Sequence, residues 1–112
     1  MPASFEIVPA TALFASALGA LYTSPLATST RIEKLTFFNS DSAAHVITVL
    51  LVPSGQAPGS TNTILYQQPV AAGGTVDDTN VPGHYLSPGD ALWAFADTGG
   101  VVIAFAGGTQ IT

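Results

Sequence analysis

Residues 92–96 and 101–106 are short apolar runs in which side chains alternate between two faces. Trp93, Phe95, Ile103 and Phe105 share one phase, and Leu92, Ala94, Val102 and Ala104 the other. A period of two is that of a β-strand. Asp97-Thr98-Gly99-Gly100 between the runs has the composition of a tight loop, so the pattern predicts a C-terminal hairpin. Upstream, Pro88 presets φ for the second position of a turn and Gly89 supplies a positive φ at the third, which predicts a type II turn over residues 87–90. Both faces of the hairpin are apolar. A hairpin with one side in water would alternate apolar with polar residues, so protein should cover both sides, the second cover coming from another copy of the chain.

The same period runs through the middle of the chain. Residues 45–52 place Ile47, Val49 and Leu51 on one face and Val46, Leu50 and Val52 on the other, which predicts a central or interfacial strand. In residues 31–39, Ile32 is out of phase with Leu35 and Phe37, and this predicts a β-bulge near Glu33 and Lys34. Residues 39–42 should turn the chain, and residues 53–60 form a loop of turn residues. Residues 63–68 read as a half-exposed strand closed by Pro69, and residues 75–78 as a short strand. Residues 11–22 fit both a helical stripe (Phe14, Leu18, Leu21) and a strand face (Phe14, Leu18, Tyr22); the β character downstream favours a strand. Residues 1–20 thus read as an N-terminal arm or first strand, and residues 21–112 as the domain. About seven to eight short strands at this spacing predict an all-β fold, an antiparallel β-sandwich or jelly roll.

Composition narrows the partners. Only 8% of the 112 residues are charged, against about 25% in an ordinary soluble domain, which leaves Ser, Thr, Gln, Asn, small apolar groups and subunit contacts to make up the surface. Arg31 and Lys34 are the only cations in a chain of net charge -5. Nucleic acid is not an expected partner, since phosphate binding needs several Lys or Arg. With no cysteine, disulfides and thiolate metal sites are excluded. Residues 7–26 are rich in Ala and Leu, but Glu6 and no basic residue precede them, and Pro9 and Pro25 interrupt them. A signal peptide or membrane span is therefore not expected, and synthesis is assigned to the cytoplasm.

Little chemistry can be built from seven acids, two bases and two histidines. His45 and His84 belong to no ligand spacing and read as structural. Asp77 and Asp78 are adjacent on a strand, point to opposite faces and read as turn or strand-end carboxylates rather than a calcium site. A cupin would share the jelly roll, but its metal site needs a cluster of His with a carboxylate, which this chain lacks. Trp93 can stack on a sugar, yet it shares its pattern with Phe95, Ile103 and Phe105 and reads as packing. Arg31, Glu33 and Lys34 are placed for a small ion-pair cluster at a subunit boundary. No catalytic residue, metal ligand or cofactor is assigned.

A resemblance rests on the order of several short motifs: Leu21-Tyr22-Thr23-Ser24-Pro25, Arg31-Ile32-Glu33-Lys34-Leu35, Phe38-Asn39, Val49-Leu50-Leu51-Val52-Pro53-Ser54-Gly55, Asn62-Thr63-Ile64-Leu65-Tyr66 and Leu86-Ser87-Pro88-Gly89-Asp90. Over roughly residues 20–112 the chain resembles the small all-β virion structural proteins of tailed bacteriophages, β-sandwich modules of head decoration, head-spike or fibre bases and tail structures. The resemblance implies a non-enzymatic role in the virion. The chain would be a capsid decoration (cement) or head-spike base protein, a homo-oligomer, most simply a homotrimer, bound to the major capsid protein or another virion protein. Residues placed for the oligomer or capsid interface are Phe14, Leu18, Val46, Leu50, Val52, Trp93, Phe95, Ile103 and Phe105. Ser54, Gln56, Asn62 and Asn80 are candidates for an exposed binding loop. The alternative is a tail, fibre or spike component that binds a host surface glycan or another virion protein.

Overall fold

The alternating apolar runs become strands. The computed structural model describes residues 3–15 and 20–111. They contain nine strands: β1 (Ala3–Ala12), β2 (Tyr22–Thr23), β3 (Ser29–Asn39), β4 (His45–Val52), β5 (Thr63–Val70), β6 (Thr75–Asp77), β7 (Tyr85–Leu86), β8 (Ala91–Ala96) and β9 (Val102–Ile111). One sheet has the order β1-β9-β3-β6, with β7 also beside β3; the other has the order β2-β8-β4-β5, and every pairing is antiparallel. β6 and β7 act as one interrupted edge strand. Between them the chain stays bonded to β3, through Asp78 N–H to the Leu35 carbonyl at 2.8 Å and Ile32 N–H to the His84 carbonyl at 3.0 Å. Counted in this way, two sheets of four make an antiparallel β-sandwich of jelly-roll strand order, within the β-sandwich or jelly roll that the strand spacing predicts.

The expected C-terminal hairpin is not formed. β8 lies between β2 and β4, while β9 lies between β1 and β3 in the other sheet, so residues 97–100 cross from sheet to sheet. Tight-turn chemistry is common to both kinds of connection and does not choose between them. The deciding factor is burial: Leu92, Ala94 and Ala96 face the core from one sheet, and Val102, Ala104 and Ala106 from the other. A hairpin would have put all six in a single sheet.

Large residues of β3 and β4 pack beside these small ones. Phe37 is opposite Ala104 and Leu35 opposite Ala106, while Ile47 and Val49 are opposite Ala96 and Ala94. The bulge near Glu33 and Lys34 is present as a register shift between Ile32 and Lys34, and it lets Ile32, Leu35 and Phe37 all face inward. The type II turn is present as well. Gly89 has φ +86, Asp90 N–H donates to the Ser87 carbonyl at 2.9 Å, and a Cβ on Gly89 would come within 2.7 Å of Ser54 Oγ. Asp90 also accepts from the N–H groups of Ser54 and Ser87, which clips the β4–β5 loop to this turn.

Two expectations change at strand ends. β5 does not close at Pro69 but continues to Val70; as the edge strand of its sheet it has no outer neighbour that needs the missing N–H. Residues 11–22 are not one strand. β1 ends at Ala12, Leu13 turns into the core, and β2 is only Tyr22–Thr23; Leu18 lies outside the described residues. β1 pairs with β9 of its own chain rather than standing apart as an arm.

Candidate functional site

The second phase of the apolar runs points outward. On the β1-β9-β3-β6 sheet, cross-strand pairs set Phe38 beside Ile103 and Thr36 beside Phe105. Phe38 is 36% exposed, and Ile103 and Phe105 are half-buried. On the other sheet Trp93 lies beside Leu50 and Phe95 beside Thr48, with both aromatic rings again half-buried. The side that sequence reasoning expected to be covered by protein is thus left partly open by the chain's own fold. Phe14 is 59% exposed at the rim and Val46 is half-buried, whereas Leu50 and Val52 are each 3% exposed and already sheltered within the chain.

A groove of about 660 Å³ runs along the outer face of β4, β5 and β8. Thr48, Leu50, Thr63, Tyr66 and Phe95 line it together with residues 58–60. A bulge shapes its wall: the β4–β5 register shifts between Ile47 and Val49, Gln67 takes φ +50, and Gln67 N–H donates to Thr48 Oγ1 at 3.3 Å. Tyr66, beside this bulge, is 72% exposed. No charged side chain lines the groove. The other wall is the short 3-10 turn Ser60–Asn62, which Asn62 holds in shape by accepting from Gly59 N–H and donating to the Ala57 carbonyl, each at 2.9 Å.

Asn62 is therefore a clip within the loop. Ser54 and Gln56 are exposed on the same β4–β5 loop, whereas Asn80 sits on the β6–β7 connection of the other sheet, so the four candidate residues are divided between two connections. Among the described residues no ion pair joins Arg31, Glu33 and Lys34; Glu33 accepts from Thr109 Oγ1 at 2.7 Å. Asp77 accepts from Thr36 Oγ1 at 2.7 Å. Asp78 accepts the N–H groups of Asn80 and Val81, the role of a turn carboxylate.

His45 is the residue whose surroundings the sequence conceals. It is buried at the start of β4, with Nε2 2.7 Å from Asp41 Oδ2 and Nδ1 2.8 Å from Asp97 Oδ1. The hydrogen bond with Asp41 raises the His45 pKa above its ordinary value against the opposing effect of burial, and Asp97 adds to the rise. The hydrogen bond with His45, and then the Ser42 N–H, hold the Asp41 carboxyl below the usual carboxylate range. With both ring nitrogens engaged, neither is open to a substrate or an ion. Asp97 lies 52 residues away in sequence, and no local spacing announces the contact.

Among the described residues no group of three or more His, Cys, Asp or Glu is placed to hold a metal ion, and no helix is long and apolar enough to cross a membrane. No protein-family model, curated protein or solved structure matches this chain.

Proposed function

We propose that the chain is a non-enzymatic structural protein of a phage virion, made in the host cytoplasm. It would be a capsid decoration or head-spike base protein that associates with copies of itself, as a trimer, and seats on the major capsid protein. The observation that carries this reading is the pair of outward aromatic and aliphatic ladders, Phe38-Ile103 with Phe105 on one sheet and Trp93 with Phe95 on the other. The motif order shared with small phage virion proteins supports it, as does the jelly roll, an architecture used in viral capsid domains. Fully burying a Phe or Ile side chain contributes about 1.5–3 kcal/mol, so completing the burial of half-covered ones adds about 1 kcal/mol each. A standard interface takes about 800 Å² from each partner, a small share of the 5589 Å² that the chain exposes.

Light scattering at two protein concentrations, combined with binding to emptied capsids, tests the reading. The expected particle is three times the 11.4 kDa chain mass and raises the heat resistance of the capsid. Phe105→Glu or Trp93→Glu should return it to monomer, because an unpaired carboxylate cannot be buried at a contact without heavy cost. A wild-type monomer with no affinity for capsids overturns the proposal.

The groove favours a second reading, a tail, fibre or spike component that binds a host glycan. Tyr66 and Phe95 offer aromatic faces, Thr48, Ser60 and Thr63 offer hydroxyls, and the lining carries no charge. That combination suits an uncharged sugar ring, which has an apolar face and hydroxyl edges. Binding on a glycan array should be lost in Tyr66→Ala. No glycan bound by the wild type, or equal binding by the variant, removes this reading.

A further inference from the structure

We propose that Asp41, His45 and Asp97 form a proton-operated clasp that ties together two of the sheet-to-sheet crossovers at one end of the jelly roll. Asp41 belongs to the β3–β4 crossover, Asp97 to the β8–β9 crossover, and His45 opens β4 between them. Carboxylates at neutral pH only accept hydrogen bonds. A neutral imidazole has one N–H and one lone pair, so it satisfies one aspartate and turns a lone pair towards the other. Only the imidazolium donates from both nitrogens, and both stand at 2.7–2.8 Å from a carboxylate oxygen. On β5, the residue opposite His45 is Val70, and the charged groups that face the ring are the two aspartates.

The clasp governs more than its own three residues. The β8–β9 crossover is bonded to the segment that leaves β1: Ala96 N–H donates to the Phe14 carbonyl and Gly100 N–H to the Leu13 carbonyl, each at 2.9 Å. It is also bonded to the β3–β4 crossover, through Ser40 N–H and Ser40 Oγ to the Val101 carbonyl at 2.9 and 2.6 Å. Loss of the His45 proton leaves one carboxylate without its donor and loosens this rim, including the segment that presents Phe14. The far end of the sandwich is tied differently. There Tyr22 Oη and Ser24 Oγ each share a 2.9 Å hydrogen bond with Thr30 Oγ1, and Gln110 Nε2 donates to Tyr22 Oη at 2.7 Å. Hydroxyls and an amide hold that end, with no histidine or carboxylate in the network, so it serves as an internal control.

The sign follows from linkage. A histidine whose folded pKa is raised stabilises the fold fully below its unfolded pKa, and this contribution disappears as pH rises through the folded value. A carboxyl whose folded pKa is lowered stabilises above its unfolded value and ceases to do so as pH falls through the folded one. The clasp is therefore closed in mildly acidic solution and opens on the alkaline side.

NMR of the His45 ring through a pH titration, with amide hydrogen exchange corrected for intrinsic rates at about pH 5.5 and about pH 9, tests the clasp. The ring should carry protons on both nitrogens at the lower pH and titrate above a free imidazole. Protection in residues 40–46 and 96–101 should fall about tenfold at the higher pH, as for loss of one charge-assisted hydrogen bond, while residues 22–30 hold theirs. His45→Gln should abolish that dependence. If that variant does not fold, Asp97→Asn, which keeps an acceptor but removes the charge, should lower the His45 titration midpoint. A ring that titrates at or below a free imidazole, an equal loss of protection at both ends, or an unmoved midpoint in Asp97→Asn overturns the proposal.

Discussion

Replacing Phe37 with alanine should destabilise the fold by about 3–5 kcal/mol and lower its melting temperature by about 12 °C or more. Phe37 is the largest fully buried side chain described, and it sits on the central strand β3 between Ala104 of β9 and Val76 of β6. Its cross-strand neighbour Ala104 is small, and the ring occupies the space that residue leaves. Alanine at 37 would face alanine at 104, and residues fixed in a sheet cannot collapse to fill the void. Phe105→Ala removes the same ring from the outer face of the neighbouring strand, where it is only partly buried. In dilute protein it should cost only about 1 kcal/mol. Urea unfolding of both variants measures the difference. Equal costs would mean that the inner and outer phases of β3 and β9 have been assigned to the wrong sides.

The two phases were legible in the sequence, whereas which of them faces inward and which strands pair were not. The period of two located β3, β4, β5, β8 and β9 but not β1, which lies at Ala3–Ala12 where the pattern favoured a strand over residues 11–22, and the displaced phase of Ile32 against Leu35 and Phe37 located the bulge. Pro88-Gly89 located the turn, because its requirement for positive φ is local. The pairing of β8 with β9 failed because an Asp-Thr-Gly-Gly connection serves equally within one sheet and between two. Long-range order decides that choice, and β9 in fact pairs with β1 at the other end of the chain. The groove was legible only in parts. Tyr66 and Phe95 belong to alternating strands, but the β4–β5 bulge that shapes the wall beside them depends on Gln67 adopting a conformation unusual for a non-glycine residue. The aspartates around His45 come from two crossovers, and only the jelly roll brings those together.

Replacing Asn39 with leucine should destabilise the fold by about 2–4 kcal/mol, because it removes three hydrogen bonds from a fully buried site and leaves their partners behind. Asn39 Nδ2 donates to the Ala43 carbonyl at 2.8 Å and to the Val70 carbonyl at 3.1 Å, and Oδ1 accepts from Asp41 N–H at 2.9 Å. The side chain thereby shapes the β3–β4 crossover and ties it to the end of β5. Leucine is of similar size, so the loss measures the unpaired polar groups rather than a cavity. Asn39→Asp discriminates further. It retains an acceptor for Asp41 N–H but turns a carboxylate oxygen towards two carbonyl oxygens, so its cost should exceed that of leucine at neutral pH and shrink in acid as the new carboxyl is protonated. Thermal melts of the three proteins at about pH 4.5 and about pH 7.5 test this order. Because Asn39 positions Asp41, both variants should also weaken the pH dependence carried by His45. Retention of the full dependence with the crossover disordered would show that Asp97 alone sets the state of the ring.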